Sequence, residues 1–199
     1  MYPIHEIFES LQGEGRHSGR PCLFIRFAGC NLACPWCDTD HSPRLTLSAD
    51  DLLAQVEACG AKSVILTGGE PLLQPLLPLV RGLRERGIWV AVETNATIEP
   101  EPALRAALSY IATSPKLGAP IALTRADEVR LVVADGVDAA WCEAVRARLP
   151  AADYYLSPCD DGTRLRVREA ITLLGRLNAA DPTPPWRLSL QTHKLADIP

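Results

Sequence analysis

Short apolar runs alternate with capped, two-faced segments along this chain of 199 residues. The runs CLFIRFAG (residues 22–29), SVILTGGEP (63–71), IWVAVETNA (88–96), YIATSPK (110–116), EVRLVVADG (128–136), DYYLSP (153–158) and WRLSLQTHK (186–194) predict strands. Helical segments lie among them. SADDLLAQVEACG starts on a capping serine, carries an acid three residues on and ends in glycine, which predicts a helix from Ser48 to Cys59. PLLPLVRGLRERG (75–87) has prolines near its start and a terminal glycine. EPALRAALS (101–109), DAAWCEAVRARL (138–149) and RLRVREAITLLGRL (164–177) complete the set. This rhythm is that of βα units with right-handed crossovers and a parallel sheet. About six units are too few for a closed eight-fold barrel. The expected fold is therefore α/β, an incomplete parallel β/α barrel in one domain over residues 1–199.

Polar motifs recur at one point of the rhythm, just after the strands. They are Gly29-Cys30, Gly68-Gly69-Glu70, Thr94-Asn95, Ser114-Pro115-Lys116 and Ser157-Pro158. Ligands of parallel sheets bind outside the carboxyl ends of the strands, so these motifs predict one shared site.

Composition narrows the class of function. Hydrophobic residues make up 47%, charged residues 22%, and the formal net charge is −4. That is ordinary for a soluble globular protein and gives no global basic field for nucleic acid. No apolar run is long enough to span a bilayer. The start, MYPIHEIFESLQGEG, lacks the basic and apolar regions of a secretory signal. Seven cysteines, an odd number, do not make a disulfide framework, and three of them crowd into eight residues. A reducing cytoplasm with metal-bound thiolates fits better. Cys22, Cys59, Cys142 and Cys159 are scattered and read as small packing residues.

The crowded cysteines are Cys30, Cys34 and Cys37, in CNLACPWCDTD. A structural zinc site wants four ligands, and only a zinc knuckle or a chance cluster would otherwise explain the spacing. A four-iron cubane takes one cysteine per iron, so three cysteines leave one iron open to another ligand. LTGGEP (66–71) adds two glycines that permit close backbone approach to a ligand and a charge at Glu70.

Together the two motifs resemble the radical S-adenosylmethionine (SAM) superfamily. FESLQGEGRHSGRPCLFIRFAGCNLACPWCDTD, LTGGEP, SPK and the late QTHK further resemble the 7-carboxy-7-deazaguanine synthase family, in order and over most of the chain. The resemblance implies a lyase that converts 6-carboxy-5,6,7,8-tetrahydropterin to 7-carboxy-7-deazaguanine with loss of ammonia, a step towards queuosine. It implies a 4Fe–4S cluster on Cys30, Cys34 and Cys37, with SAM on the open iron. Trp36, Cys37, Asp38, Gly69 and the turn Ser114-Pro115-Lys116 would border SAM. So would Ser157, Pro158, Cys159 and Asp160, although the family often has Gln-Pro where this chain has Ser157-Pro158. Leu11, Gln12, Gly13, Arg26 and Thr67 would touch the pterin, and Pro199 would close over it. Thr39 would ligate magnesium. A reduced cluster would split SAM to a 5′-deoxyadenosyl radical that takes hydrogen from C6 of the pterin. A flavodoxin or ferredoxin would supply the electron, and the protein would be a homodimer.

Residue chemistry leaves alternatives beside these roles. Arg26 offers a planar fork to a carboxylate but also suits a structural ion pair. Thr39 could simply cap a backbone donor. Glu14 fits either the guanidine-like edge of the pterin or the surface. His5, His17 and His41 read as packed or solvent-facing, whereas His193 suits packing and the site equally. Other functions that share the cysteine spacing are a glycyl-radical activating enzyme and a non-enzymatic iron–sulfur electron carrier.

Overall fold

The computed structural model describes residues 1–160 and 162–199. Nine strands form one sheet: β1 (Tyr2–Leu11), β2 (Pro21–Phe27), β3 (Leu45–Leu47), β4 (Ser63–Gly68), β5 (Trp89–Thr94), β6 (Tyr110–Thr113), β7 (Glu128–Val133), β8 (Asp153–Pro158) and β9 (Trp186–Leu188). Their order is β3-β1-β2-β4-β5-β6-β7-β8-β9, so β3 and β9 are open edges and the barrel does not close. Every pairing from β2 through β9 is parallel, whereas β1 runs antiparallel to both β2 and β3. The helices are α1 (Ala49–Cys59), α2 (Leu77–Glu85), α3 (Pro102–Ala107), α4 (Ala139–Arg148), α5 (Val167–Asn178) and α6 (Thr192–Leu195).

The period of two along each strand divides the sheet into two unlike faces. Leu23, Ile25, Phe27, Val64, Leu66, Val90, Val92, Val129, Leu131, Tyr154 and Leu156 join the main core, with Leu52, Val56, Leu79, Leu83, Val145 and Leu173 from the helices. The alternate positions face inwards. At the start of the strands they are apolar: Phe24, Ile65 and Ala91, with Phe8, Trp89 and Tyr110 against them. Further on they become Thr67, Glu93, Arg130 and Ser157. A strand that reads as one apolar run thus carries its chemistry on every second residue.

The open barrel would be hollow at its lower end without residues 12–20. This segment crosses the first residues of the central strands and includes a 3-10 turn, Gly15–His17. The Gly15 N–H donates to Ser189 Oγ at 2.9 Å, and the Arg16 N–H to Glu128 Oε2 at 2.7 Å. Arg16 also pairs with Asp153 at 2.8 Å. His17 packs edge-on against Trp89 and Tyr110. Gly15 has φ +66, and a Cβ there would lie 2.0 Å from Glu128 Oε1, so only glycine fits.

One sequence expectation needs correction. QTHK was expected to continue the last strand, but β9 stops at Leu188 and Thr192–Leu195 forms the helical turn α6. The start of the chain, to which the sequence pattern assigned no element, is the ten-residue strand β1. The helix expected from Ser48 is present. Its cap is reciprocal: Ser48 Oγ accepts from the Asp51 N–H at 3.1 Å, and Asp51 Oδ2 accepts from the Ser48 N–H at 2.8 Å. Ser48→Ala should lower the unfolding free energy by about 1 kcal/mol, read as a shifted urea midpoint, with turnover unchanged because α1 lies outside the cavity.

Candidate active site

A cavity of about 660 Å³ opens where the carboxyl ends of the strands meet. One wall is the loop between β2 and β3, which carries Cys30, Cys34 and Cys37. The glycine turn after β4 fixes where this loop begins. The Gly69 N–H donates to Phe27 O at 3.2 Å and the Glu70 N–H to Gly29 O at 3.0 Å. A Cβ on Gly69 would lie 1.9 Å from Gly29 O and 2.9 Å from the Cβ of Cys30. The glycines are therefore needed for two loops to touch, in addition to any ligand. Glu70 does not supply a charge to the cavity. It is fully buried, and its carboxylate accepts from Thr94 Oγ1 at 2.8 and 2.9 Å and from the N–H groups of Asn95 and Leu72. Burial raises its pKa, only partly offset by those donors.

The three thiols lie within one another's electrostatic field. Burial raises the pKa of Cys34, the Lys116 ammonium opposes this, and Cys37 and Cys30 add to the rise. Lys116 is itself held below its usual range, first by burial, with Cys34 and Glu14 acting against that. Its Nζ donates to Ser114 Oγ at 2.6 Å and sits 5.0 Å from the centre of the Trp36 ring. Among the described residues no three His, Cys, Asp or Glu side chains converge on one metal ion. A cubane offers each cysteine its own iron, so this donor set fits a cubane better than a single zinc ion. No cysteine is in a disulfide. Burial pushes Cys22 up to about 11 and Cys142 up to about 12, as expected of packing thiols.

The floor of the cavity is a buried charge network. The Arg130 guanidinium lies 2.5 Å from Glu93 Oε1, 3.2 Å from Glu14 Oε2 and 2.9 Å from Glu128 Oε1. Gln12 Nε2 and Thr67 Oγ1 donate to Glu93 at 3.0 and 2.9 Å. Ser157 Oγ donates to Glu14 at 2.9 Å, and Tyr110 OH to Glu128 at 3.0 Å. Burial alone would raise Glu93, but Arg130 and the two donors outweigh it and hold Glu93 below the usual range. At Glu128 burial wins and the pKa is raised, with Arg130 only moderating it. The same cation thus prevails over burial at one carboxylate and not at another. Sequence reading missed Glu93 and Arg130. The available signal was a charge at alternate positions of two otherwise apolar strands.

Comparison with known proteins now bears on this geometry. Residues 24–118 match the Radical SAM superfamily. The 7-carboxy-7-deazaguanine synthase of Haemophilus influenzae is 43% identical over 99% of this chain and 94% of its own length. That of Bacteroides thetaiotaomicron is 44% identical over 100% of this chain and 99% of its own length. This chain belongs to the 7-carboxy-7-deazaguanine synthase family. The crystal structure of QueE from Escherichia coli superposes with a TM-score of 0.75 at 30% identity, over 95% of this chain and 93% of that one.

Most residues singled out from the family pattern line this cavity: Leu11, Gln12, Gly13, Arg26, Trp36, Asp38, Thr39, Thr67, Gly69, Ser114, Lys116 and Pro199, with the three cysteines. Arg26 does so while its Nε pairs with Glu6 at 2.7 Å. Thr39 Oγ1 lies 3.4 Å from Asp38 Oδ1. Of the divergent segment at the end of β8, Ser157 alone reaches the cavity wall; Pro158, Cys159 and Asp160 do not form it. Cys159 is buried, and Asp160 stands behind Lys194 at 3.7 Å. Pro115 faces an adjoining pocket of about 450 Å³ shared with Cys34, Trp36 and Trp141. His193, His41 and His5 all line the cavity, His5 while buried with Nδ1 2.8 Å from Ser42 O.

The network predicts a pH-dependent phenotype. Arg130→Met strands Glu14, Glu93 and Glu128 without their cation and should cost about 3–5 kcal/mol at neutral pH. Without that cation the folded-state pKa values of Glu93 and Glu128 rise, so the native state binds protons that the unfolded chain does not, and variant stability recovers as pH falls. In the parent, the lowered pKa of Glu93 works the other way: its contribution is present above the unfolded pKa and is lost as pH falls through the folded one. The gap in guanidinium midpoint between the two proteins should therefore narrow from about pH 8 to about pH 5.

Proposed function

We propose that this chain converts 6-carboxy-5,6,7,8-tetrahydropterin to 7-carboxy-7-deazaguanine with release of ammonia. Full-length similarity to the synthases carries the reading. The cavity supports it by facing the three-cysteine loop with a floor that carries Glu14, Glu93 and Gln12. When bound, the reduced cluster and SAM supply a carbon radical able to take hydrogen from the substrate.

The chain's own residues bind, orient and exclude water. Cys30, Cys34 and Cys37 hold the cluster. Trp36, Asp38, Gly69, Ser114 and Lys116 line the volume assigned to SAM. Glu14, Glu93 and Gln12 offer acceptors to the amino-pyrimidine edge of the pterin, which is rich in donors. Arg26 suits the substrate carboxylate as a planar donor fork. Thr39 is a weak single ligand for magnesium, so that ion binds well only when substrate oxygens and water complete its shell. Residues 191–199 cover this side of the cavity, which favours a small substrate over the protein loop that a glycyl-radical activating enzyme must admit. No helix among the described residues is long and apolar enough to cross a membrane. A small acidic electron carrier of flavodoxin or ferredoxin type and a homodimeric assembly complete the reading.

Anaerobic reconstitution followed by incubation with SAM, a reductant and the carboxypterin tests this directly. The deazaguanine chromophore should appear, and its absence with an intact cluster would refute the substrate assignment. Cys30→Ala, Cys34→Ala and Cys37→Ala should each lose bound iron and SAM cleavage. Cys59→Ala should keep both.

A further inference from the structure

Three consecutive residues of α6 tie together two separately built parts of the cavity, at Gly13 and at Asp38. The Thr192 N–H and Oγ1 both donate to Gly13 O, at 3.0 and 2.8 Å. His193 packs so closely on Gly13 that a Cβ there would lie 1.9 Å from His193 Nδ1. Lys194 Nζ donates to Asp38 Oδ2 at 2.6 Å. Gln191 Nε2 donates to the same oxygen at 3.4 Å. Downstream, Ile198 and Pro199 line the cavity, and the Pro199 carbonyl accepts from Ser10 Oγ.

The Asp38 contact matters because of what surrounds it. The cysteine loop is pinned at its entry, where Asn31 meets Asn95 and Thr97. It is pinned again at its exit, where Ser42 O meets His5 and the Arg44 N–H donates to Ile4 O. Between these points, apart from the Leu32 N–H to Cys30 Sγ at 3.4 Å, the hydrogen bonds joining residues 32–39 to the rest of the protein are, among the described residues, those that Asp38 accepts, and the Trp36 ring adds its contact with Lys116. That stretch holds Cys34 and Cys37.

We propose that Lys194 is a positioning residue, whose pair with Asp38 fastens the cysteine-bearing stretch to the segment that lines the opposite side of the cavity. The spacing across the site is then set by one ion pair, through a short helix already anchored on Gly13. The proposal rests on the function given above for what the two sides hold. The tie itself is a property of the bare chain.

Amide hydrogen exchange, read by mass spectrometry on the cluster-free protein, isolates the tie. In Lys194→Met, exchange should quicken about two- to fivefold in residues 32–39 and in residues 191–199, the range for a partly exposed pair. The strands should be unaffected. Asp38→Asn should match it, and the double variant should exceed neither. Lys194→Arg, which keeps a cation in reach, should restore parental exchange. After reconstitution, Lys194→Met should keep its iron, raise KM for the carboxypterin and spend more SAM per product, with Lys194→Arg again rescuing. Unchanged exchange in residues 32–39, or an arginine variant as fast as the methionine one, would overturn the tie. Altered exchange with an unaltered KM and SAM stoichiometry would overturn the positioning role. If the parent itself makes no deazaguanine, the functional reading fails while exchange still decides the tie.

Discussion

The guanidinium of Arg130 is the interaction on which the site depends. It stands on a central strand of an open sheet, with Glu128 two residues before it, Glu93 two strands away and Glu14 on the segment that fills the lower barrel. Three carboxylates around one cation leave an excess of negative charge in a buried place, which is costly unless hydrogen bonds make up the difference. Gln12, Thr67, Ser157, Tyr110 and the Arg16 N–H supply them. These five donors come from four parts of the chain, two of them from the segment 12–20, so the network also locates that segment against the sheet. The polar floor presented to a ligand is a by-product of closing an unclosed barrel.

A second constraint acts at the opposite wall. The two glycines after β4 let one turn rest directly on the exit of β2, and the buried carboxylate of Glu70 ties that turn to the end of β5. The first cysteine is thus set by main-chain contacts between neighbouring parallel strands. The second and third follow on a loop with far fewer attachments. Rigid scaffold and adjustable loop meet within eight residues.

Much of this was legible in the sequence, for physical reasons. The α1 cap was readable because a serine and an acid three residues apart can satisfy each other's backbone donors only at a helix start. The cysteine spacing was readable because so few chemistries need three thiols on one short loop. The strands were found as apolar runs, and that same reading hid Glu93, Glu128 and Arg130, whose importance depends on which face of the sheet they occupy. Strand β1 was missed because its pairing is with β2 and β3, neither adjacent to it without an intervening loop. The plug formed by residues 12–20 was not legible at all. Its partners, Trp89, Tyr110, Glu128, Asp153 and Ser189, are distant in the chain and are gathered only by the finished sheet.

The contact between Thr192 and Gly13 joins residues 179 positions apart. That between Pro199 and Ser10 spans 189. Contacts of such separation repay the entropy of loop closure only after the intervening chain has condensed. During synthesis the sheet and its helices have time to assemble from β1 onwards, while the cavity still lacks one side. The site is therefore the last part of the molecule to mature. Until residues 191–199 dock, the cavity stays open on that side, however well folded the core.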